Sequence, residues 1–185
     1  MNVLLTSCGL ETKQIENALK NMFVKPLSEV KAMFIPTAAD SPDAVEVLPK
    51  CLNDLLKIGI KRENIFVYDL YDELDKRDCE SYDLMYLCGG NPDYLLRRIN
   101  ECGFNLTISE FIARNAAVVG VSAGSIIFAG NMPNNLGLLK CDLDVHCSDD
   151  KCEEPGYYAK DRCERIRLGN RQAVVLNGDG IIVIG

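Results

Sequence analysis

Short apolar, β-branched runs alternate along this chain with longer segments of helical period, and that alternation limits the fold more than any single residue does. The runs are Val3–Thr6, Val30–Ile35, Ile65–Tyr68, Leu84–Cys88, Ala117–Val121, Ala173–Leu176 and Ile181–Ile184. Between them lie Glu11–Phe23, Ala44–Ile58, Asp93–Glu101 and Leu106–Asn115. In Ala44–Ile58, Val45, Leu48, Leu52, Leu55, Leu56 and Ile58 fall mainly on one helical stripe, with Glu46, Lys50, Asn53 and Asp54 off it. Strands alternating with helices of this length imply βαβ units. Runs that are apolar throughout, such as Ala117–Val121, suit strands buried on both sides. The predicted fold is a three-layer α/β/α arrangement around a largely parallel central sheet. At 185 residues the chain suits one domain, spanning 1–185. Asn131–Gly169 departs from the pattern, with a dense acidic patch and four of the nine cysteines. It reads as loops and short strands laid over the end of the sheet, where ligands of open α/β sheets bind.

Charge and cysteine usage narrow the function. A formal net charge of −7 argues against a nucleic-acid partner, which requires a surplus of Lys and Arg on one face. Met1–Ser7 reads as a first strand and not as a signal peptide, and no apolar stretch approaches the roughly 18 residues that cross a bilayer. A cytoplasmic protein with reduced cysteines and no membrane contact is the expectation. No cofactor is expected. Cys141, His146, Cys147 and Cys152 are zinc ligands by type, but Cys147 and Cys152, with four residues between them, only reach the edge of the usual spacing, and Cys141 and Cys147 have five. No metal is therefore expected either.

Gly120-Val121-Ser122-Ala123-Gly124 fits the nucleophile-elbow pattern G-x-S-x-G. With 14 glycines in the chain, such a match is expected by chance only about 0.05 times. It also follows a buried strand and leads into an apolar helix start, Ser125–Ala129. In that turn the serine is held in a strained conformation with its hydroxyl projecting, and the amide of Ala123 becomes an oxyanion donor. A serine hydroxyl needs a base to take its proton, and the chain has one histidine, His146. The acid that would orient it stays open at this point. Asp144 lies two residues before His146, Asp142 four before, and Asp179 lies in Asn177-Gly178-Asp179-Gly180, where Asp-Gly is itself a hairpin signal.

These pieces together resemble the dipeptidase E and cyanophycinase family of serine peptidases. Ala32–Ala38 resembles the family's second strand with its trailing Pro36. Tyr86–Asn91 resembles its Gly-Gly-Gly-Asn turn, with Cys88 in place of the first glycine. Gly120–Ser125 resembles its elbow, and Gly137-Leu138 with Asp144-Val145-His146 resembles the segment that carries its histidine. The resemblance implies Ser122 as nucleophile, His146 as general base, Gly90 as a second oxyanion donor beside Ala123, and Asn91 at the substrate. It also implies substrate-binding arginines after the histidine, at Arg162 and Arg165, suited to an N-terminal Asp. A solvated helical face of alternating charges is the plainer reading of that stretch. Along a strand, Asp144 and His146 would stand roughly 6.5–7 Å apart and point in parallel, so Asp179 ranks above Asp144 as the acid.

The expected function is a small intracellular peptidase acting on a dipeptide or acidic peptide through an acyl-enzyme. An acyl hydrolase or amidohydrolase of other specificity is the alternative among enzymes. A non-catalytic binding or sensor protein on the same fold is the alternative outside them. Apolar helix faces are consistent with a homodimer without requiring one.

Overall fold

The computed structural model describes residues 1–72, 79–159, 163–177 and 180–185. Among them ten strands occur: β1 (Val3–Thr6), β2 (Ala32–Ile35), β3 (Ile65–Val67), β4 (Leu84–Leu87), β5 (Ala117–Val121), β6 (Asp142–Cys147), β7 (Gly156–Ala159), β8 (Arg165–Gly169), β9 (Ala173–Asn177) and β10 (Gly180–Ile184). The helices are α1 (Lys13–Lys20), α2 (Pro42–Ile58), α3 (Pro92–Glu101), α4 (Phe104–Ala113) and the single turn α5 (Ala123–Ile126). Eight strands form one sheet in the order β3-β2-β4-β5-β1-β9-β10-β7, while β6 and β8 pair separately. From β3 to β1 every pairing is parallel, and from β1 to β7 every pairing is antiparallel.

Local chemistry sets the helix limits. Thr12 and Ser41 each cap a helix by accepting the N–H three residues on, and Asn91 does the same for Tyr94. Pro42 and Pro92 occupy first-turn positions, where no N–H is missed. Gly59 closes α2 in the left-handed conformation, at φ 110°.

Strand residues alternate between two cores. Met33, Ile35, Met85 and Leu87 point to the face covered by α3, α4 and α5, with Leu95, Ile99, Phe104, Ile108 and Phe128. Ala32, Phe34, Leu84 and Tyr86 point to the other, covered by α1 and α2 through Ile15, Leu19, Leu55 and Ile58. Burial on both faces is why these strands are apolar at every position.

The structure modifies two expectations. The segment 131–169 is not wholly an overlay on the sheet end, because β7 joins the main sheet as its edge strand. The residues after 164 are strand and not helix. Ile166 and Leu168 are buried while Arg165 and Arg167 face solvent, a period of two in place of the helical period.

At the end of β5 the chain turns through a very narrow gap. A Cβ on Gly120 would stand 2.3 Å from the carbonyl oxygen of Gly124, and one on Gly124 would stand 2.3 Å from that of Leu87. Both neighbours are backbone, so neither can move aside alone. Gly120→Ala is expected to cost about 3 kcal/mol or more, above the usual range for overpacking. Urea unfolding measures this, and a midpoint equal to the parent's would show that the gap is not tight.

Candidate active site

Ser122 occupies that turn at φ 49° and ψ −108°, outside the regions that L residues favour. Hydrogen bonds hold it there. Its N–H donates to the Thr6 carbonyl at 3.0 Å, and its carbonyl accepts from the Ser125 and Ile126 N–H groups at 2.8 and 3.0 Å. The hydroxyl is thereby aimed out of the sheet end, with Oγ 2.8 Å from His146 Nε2.

His146 is presented by a backbone irregularity. The β6–β8 register slips between Asp144 and Cys147, and His146 adopts φ 58°. Its N–H donates to Ser7 Oγ at 2.8 Å, which ties the bulge to the end of β1. The other ring nitrogen, Nδ1, lies 2.8 Å from Asn170 Oδ1. An amide oxygen only accepts, so Nδ1 carries the proton and Nε2 presents a lone pair to the Ser122 hydroxyl. This is the tautomer that a general base requires.

Among the described residues the partner of Nδ1 is thus an amide and not a carboxylate. Asp142 and Asp144 are instead engaged by one guanidinium: Arg165 Nη2 donates to Asp142 Oδ2 at 2.8 Å and Nη1 to Asp144 Oδ2 at 3.0 Å. The β6–β8 register is irregular between Asp144 and Cys147, so the regular strand spacing that counted against Asp144 does not apply, but its carboxylate is taken by Arg165. Asp179 and Arg162 lie outside the described residues. Asn170 escapes a search confined to acids, and its signal is positional: it follows β8 directly, and β8 pairs with the strand that carries His146.

The turn that carries the first of the expected oxyanion donors lies beside Ser122. The Gly89-Gly90 turn passes close to the nucleophile, since a Cβ on Gly89 would lie 3.3 Å from Ser122 Cβ. Gly90 has φ 141°, and a Cβ there would lie 1.9 Å from the Ala38 carbonyl oxygen, so the turn requires glycine. Among the described residues the N–H groups of Gly90 and Ala123 have no intramolecular acceptor. Asn91 is committed to the helix start. Its Oδ1 accepts from Tyr94 N–H, and its Nδ2 donates to Asp40 Oδ2 at 2.9 Å. Arg165 is held by its two aspartates and does not line the cavity beside Ser122.

That cavity has a volume of about 230 Å³ and opens at Ser122 and His146, between the ends of β1, β4 and β5 and the first turns of α2. Behind it, burial pushes the Tyr86 phenol and the Cys88 thiol well up, which keeps both neutral. Among the described residues no three His, Cys, Asp or Glu side chains gather as a metal ion needs, so Cys141, His146, Cys147 and Cys152 form no such site. Cys8, Cys51, Cys88, Cys102, Cys141, Cys147, Cys152 and Cys163 are free thiols. No described helix is long and apolar enough to cross a membrane.

If Asn170 fixes the tautomer, Asn170→Ala lowers kcat by about 10²-fold or more, while Asn170→Asp retains most of it. Steady-state kinetics of the two variants check this. Equal rates for Asn170→Ala and the parent would remove Asn170 from the assembly.

With this geometry in view, comparison with known proteins is informative. The model of peptidase family S51 matches residues 3–136, which include the elbow. The uncharacterized peptidase Lin0382 of Listeria innocua is 30% identical over 104 residues, 54% of this chain and 47% of that protein. The matched region thus spans about half the length of this relative. A crystal structure of a protein named for peptidase E from Listeria monocytogenes EGD-e superposes with a TM-score of 0.78 at 19% identity, covering 99% of this chain and 97% of the other. A peptidase from an acI-B1 actinobacterium gives 0.63 at 16%, covering 99% and 86%. At those identities the likeness establishes the fold alone. The family match covers well over half of the chain and contains the turn that carries Ser122: this protein belongs to peptidase family S51, a family of serine peptidases.

Proposed function

We propose that this protein hydrolyses small peptides through an acyl-enzyme formed on Ser122, with His146 as its general base. The observation that carries the reading is the run of contacts from Ser122 Oγ to His146 Nε2 and from Nδ1 to Asn170 Oδ1, each 2.8 Å. A hydroxyl, an imidazole and an acceptor-only oxygen in that order make a nucleophile, a base and an orienting group.

The steps follow from the positions. The Ser122 proton passes to Nε2 as Oγ attacks the peptide carbonyl carbon. The resulting oxyanion receives the N–H groups of Gly90 and Ala123, which have no other acceptor among the described residues. His146, now doubly protonated, gives its Nε2 proton to the departing amine, and the C–N bond breaks. Water then attacks the ester carbonyl while His146 takes one of its protons. Collapse of the second tetrahedral species returns the proton to Oγ and releases the acid. Asn170 stabilises the ring in the required orientation throughout, but with a neutral amide where many serine peptidases hold a carboxylate. Less of the imidazolium charge is compensated, which favours slow turnover.

Ser122→Ala is expected to keep its fold and to lose peptide hydrolysis by about 10⁴-fold or more. Ser125→Ala is the matched control. Its hydroxyl donates to the Thr6 carbonyl at 2.8 Å on the buried side of the turn, away from the reacting atoms, and its loss leaves hydrolysis near the parent's. The measurement is release of free amino acids from a panel of dipeptides by the full chain, with circular dichroism to verify folding. Hydrolysis by Ser122→Ala at the parental rate would refute the assignment.

A further inference from the structure

The cavity beside the nucleophile is large enough to hold a side chain, and its walls state which kind. The first turns of α2 present Ala44, Val47, Leu48 and Cys51 to it, at helical spacings of three and four that place them on one face. Val121 closes the opposite side from the end of β5. At about 230 Å³ it exceeds the roughly 150 Å³ of an apolar cavity that accommodates benzene.

Among the described lining residues there is no Arg and no Lys. Lys50, on the same helix, is itself occupied: its ammonium pairs with Glu11 and donates to the Cys8 carbonyl at 3.4 Å. Arg165, the residue expected from sequence to bind an acidic substrate, is held between Asp142 and Asp144. Among the described residues a carboxylate placed here meets no cationic side chain in the wall, and burying it unpaired is strongly unfavourable.

We propose that this cavity is the subsite for an uncharged apolar side chain, of leucine to phenylalanine size, on the residue whose carbonyl Ser122 attacks. The acyl side is indicated because Ser122 and Gly90, which hold the acyl group through both half-reactions, are themselves part of the wall. Val47, 48% exposed in the free protein, stands at the rim and becomes covered when the side chain enters. The inference rests on the peptidase reading above and deepens it by naming the substrate class.

The test uses the full chain with dipeptides Xaa-Leu, where Xaa is Leu, Met, Phe, Ala, Asp or Lys, counting only turnover that Ser122→Ala abolishes. The expected result is a kcat/KM for Leu, Met or Phe at least about 10-fold above Ala and at least about 100-fold above Asp, since a methylene or two in an apolar pocket is worth roughly 10–200-fold. If Asp-Leu or Lys-Leu is cleaved fastest, the apolar subsite is wrong and the peptidase reading stands. If no dipeptide shows Ser122-dependent turnover, both are wrong. A second variant gives an independent reading. Val47→Arg, at a half-exposed position that folding tolerates, should raise the Asp-Leu to Leu-Leu ratio by about 10-fold or more. An unchanged ratio would place the side chain in some other part of the surface.

Discussion

The site depends on the closeness with which three backbones meet at the end of the sheet. Strand β5, the turn after it and strand β4 approach so nearly that positions 120 and 124 admit no side chain. Because the gap is filled by backbone on all sides, the chain between those glycines is forced out of regular structure at Ser122. Hydrogen bonds from Ser122 to the Thr6 carbonyl, and to Ser122 from Ser125 and Ile126, then hold the unfavourable conformation that the gap imposes. The nucleophile is thus positioned by strands buried on both faces, the most rigid part of the fold, and not by a loop.

The base is positioned by a different principle. His146 comes from a two-stranded unit outside the main sheet: its N–H reaches Ser7 and its Nε2 reaches Ser122, while Asn170, just after β8, holds the ring from within the unit. Arg165 secures the same unit by gathering Asp142 and Asp144 onto β8. These ion pairs are partly exposed and contribute little to stability one by one. Their effect here is directional. They occupy the two nearby acids, and the imidazole is left to an amide.

Much of this was legible in the sequence, and the physical reasons divide the cases cleanly. The strands of the parallel half announce themselves because burial on both faces makes them apolar throughout. The elbow is legible because steric exclusion leaves only glycine at its flanks. The single histidine required no choice. Asn170 was missed because its role arises from strand pairing across 24 residues, and because an amide oxygen substitutes for a carboxylate without resembling one. The bulge at His146 was not legible, because the six-residue run that carries it reads as a regular strand. The antiparallel pairing of the last two strands was legible too, since the four residues between Ala173–Leu176 and Ile181–Ile184 contain the Asp-Gly hairpin signal and are too few for a parallel crossover.

The account's central claim is that His146 activates Ser122. It is tested most directly by treating the parent and His146→Gln with a serine-directed organophosphonate and following the adduct by intact-mass and peptide-mapping mass spectrometry. The account predicts one adduct on the parent, located on Ser122, and a rate of formation about 10²-fold or more lower in His146→Gln. An adduct on another residue, or equal rates in the two proteins, would contradict it.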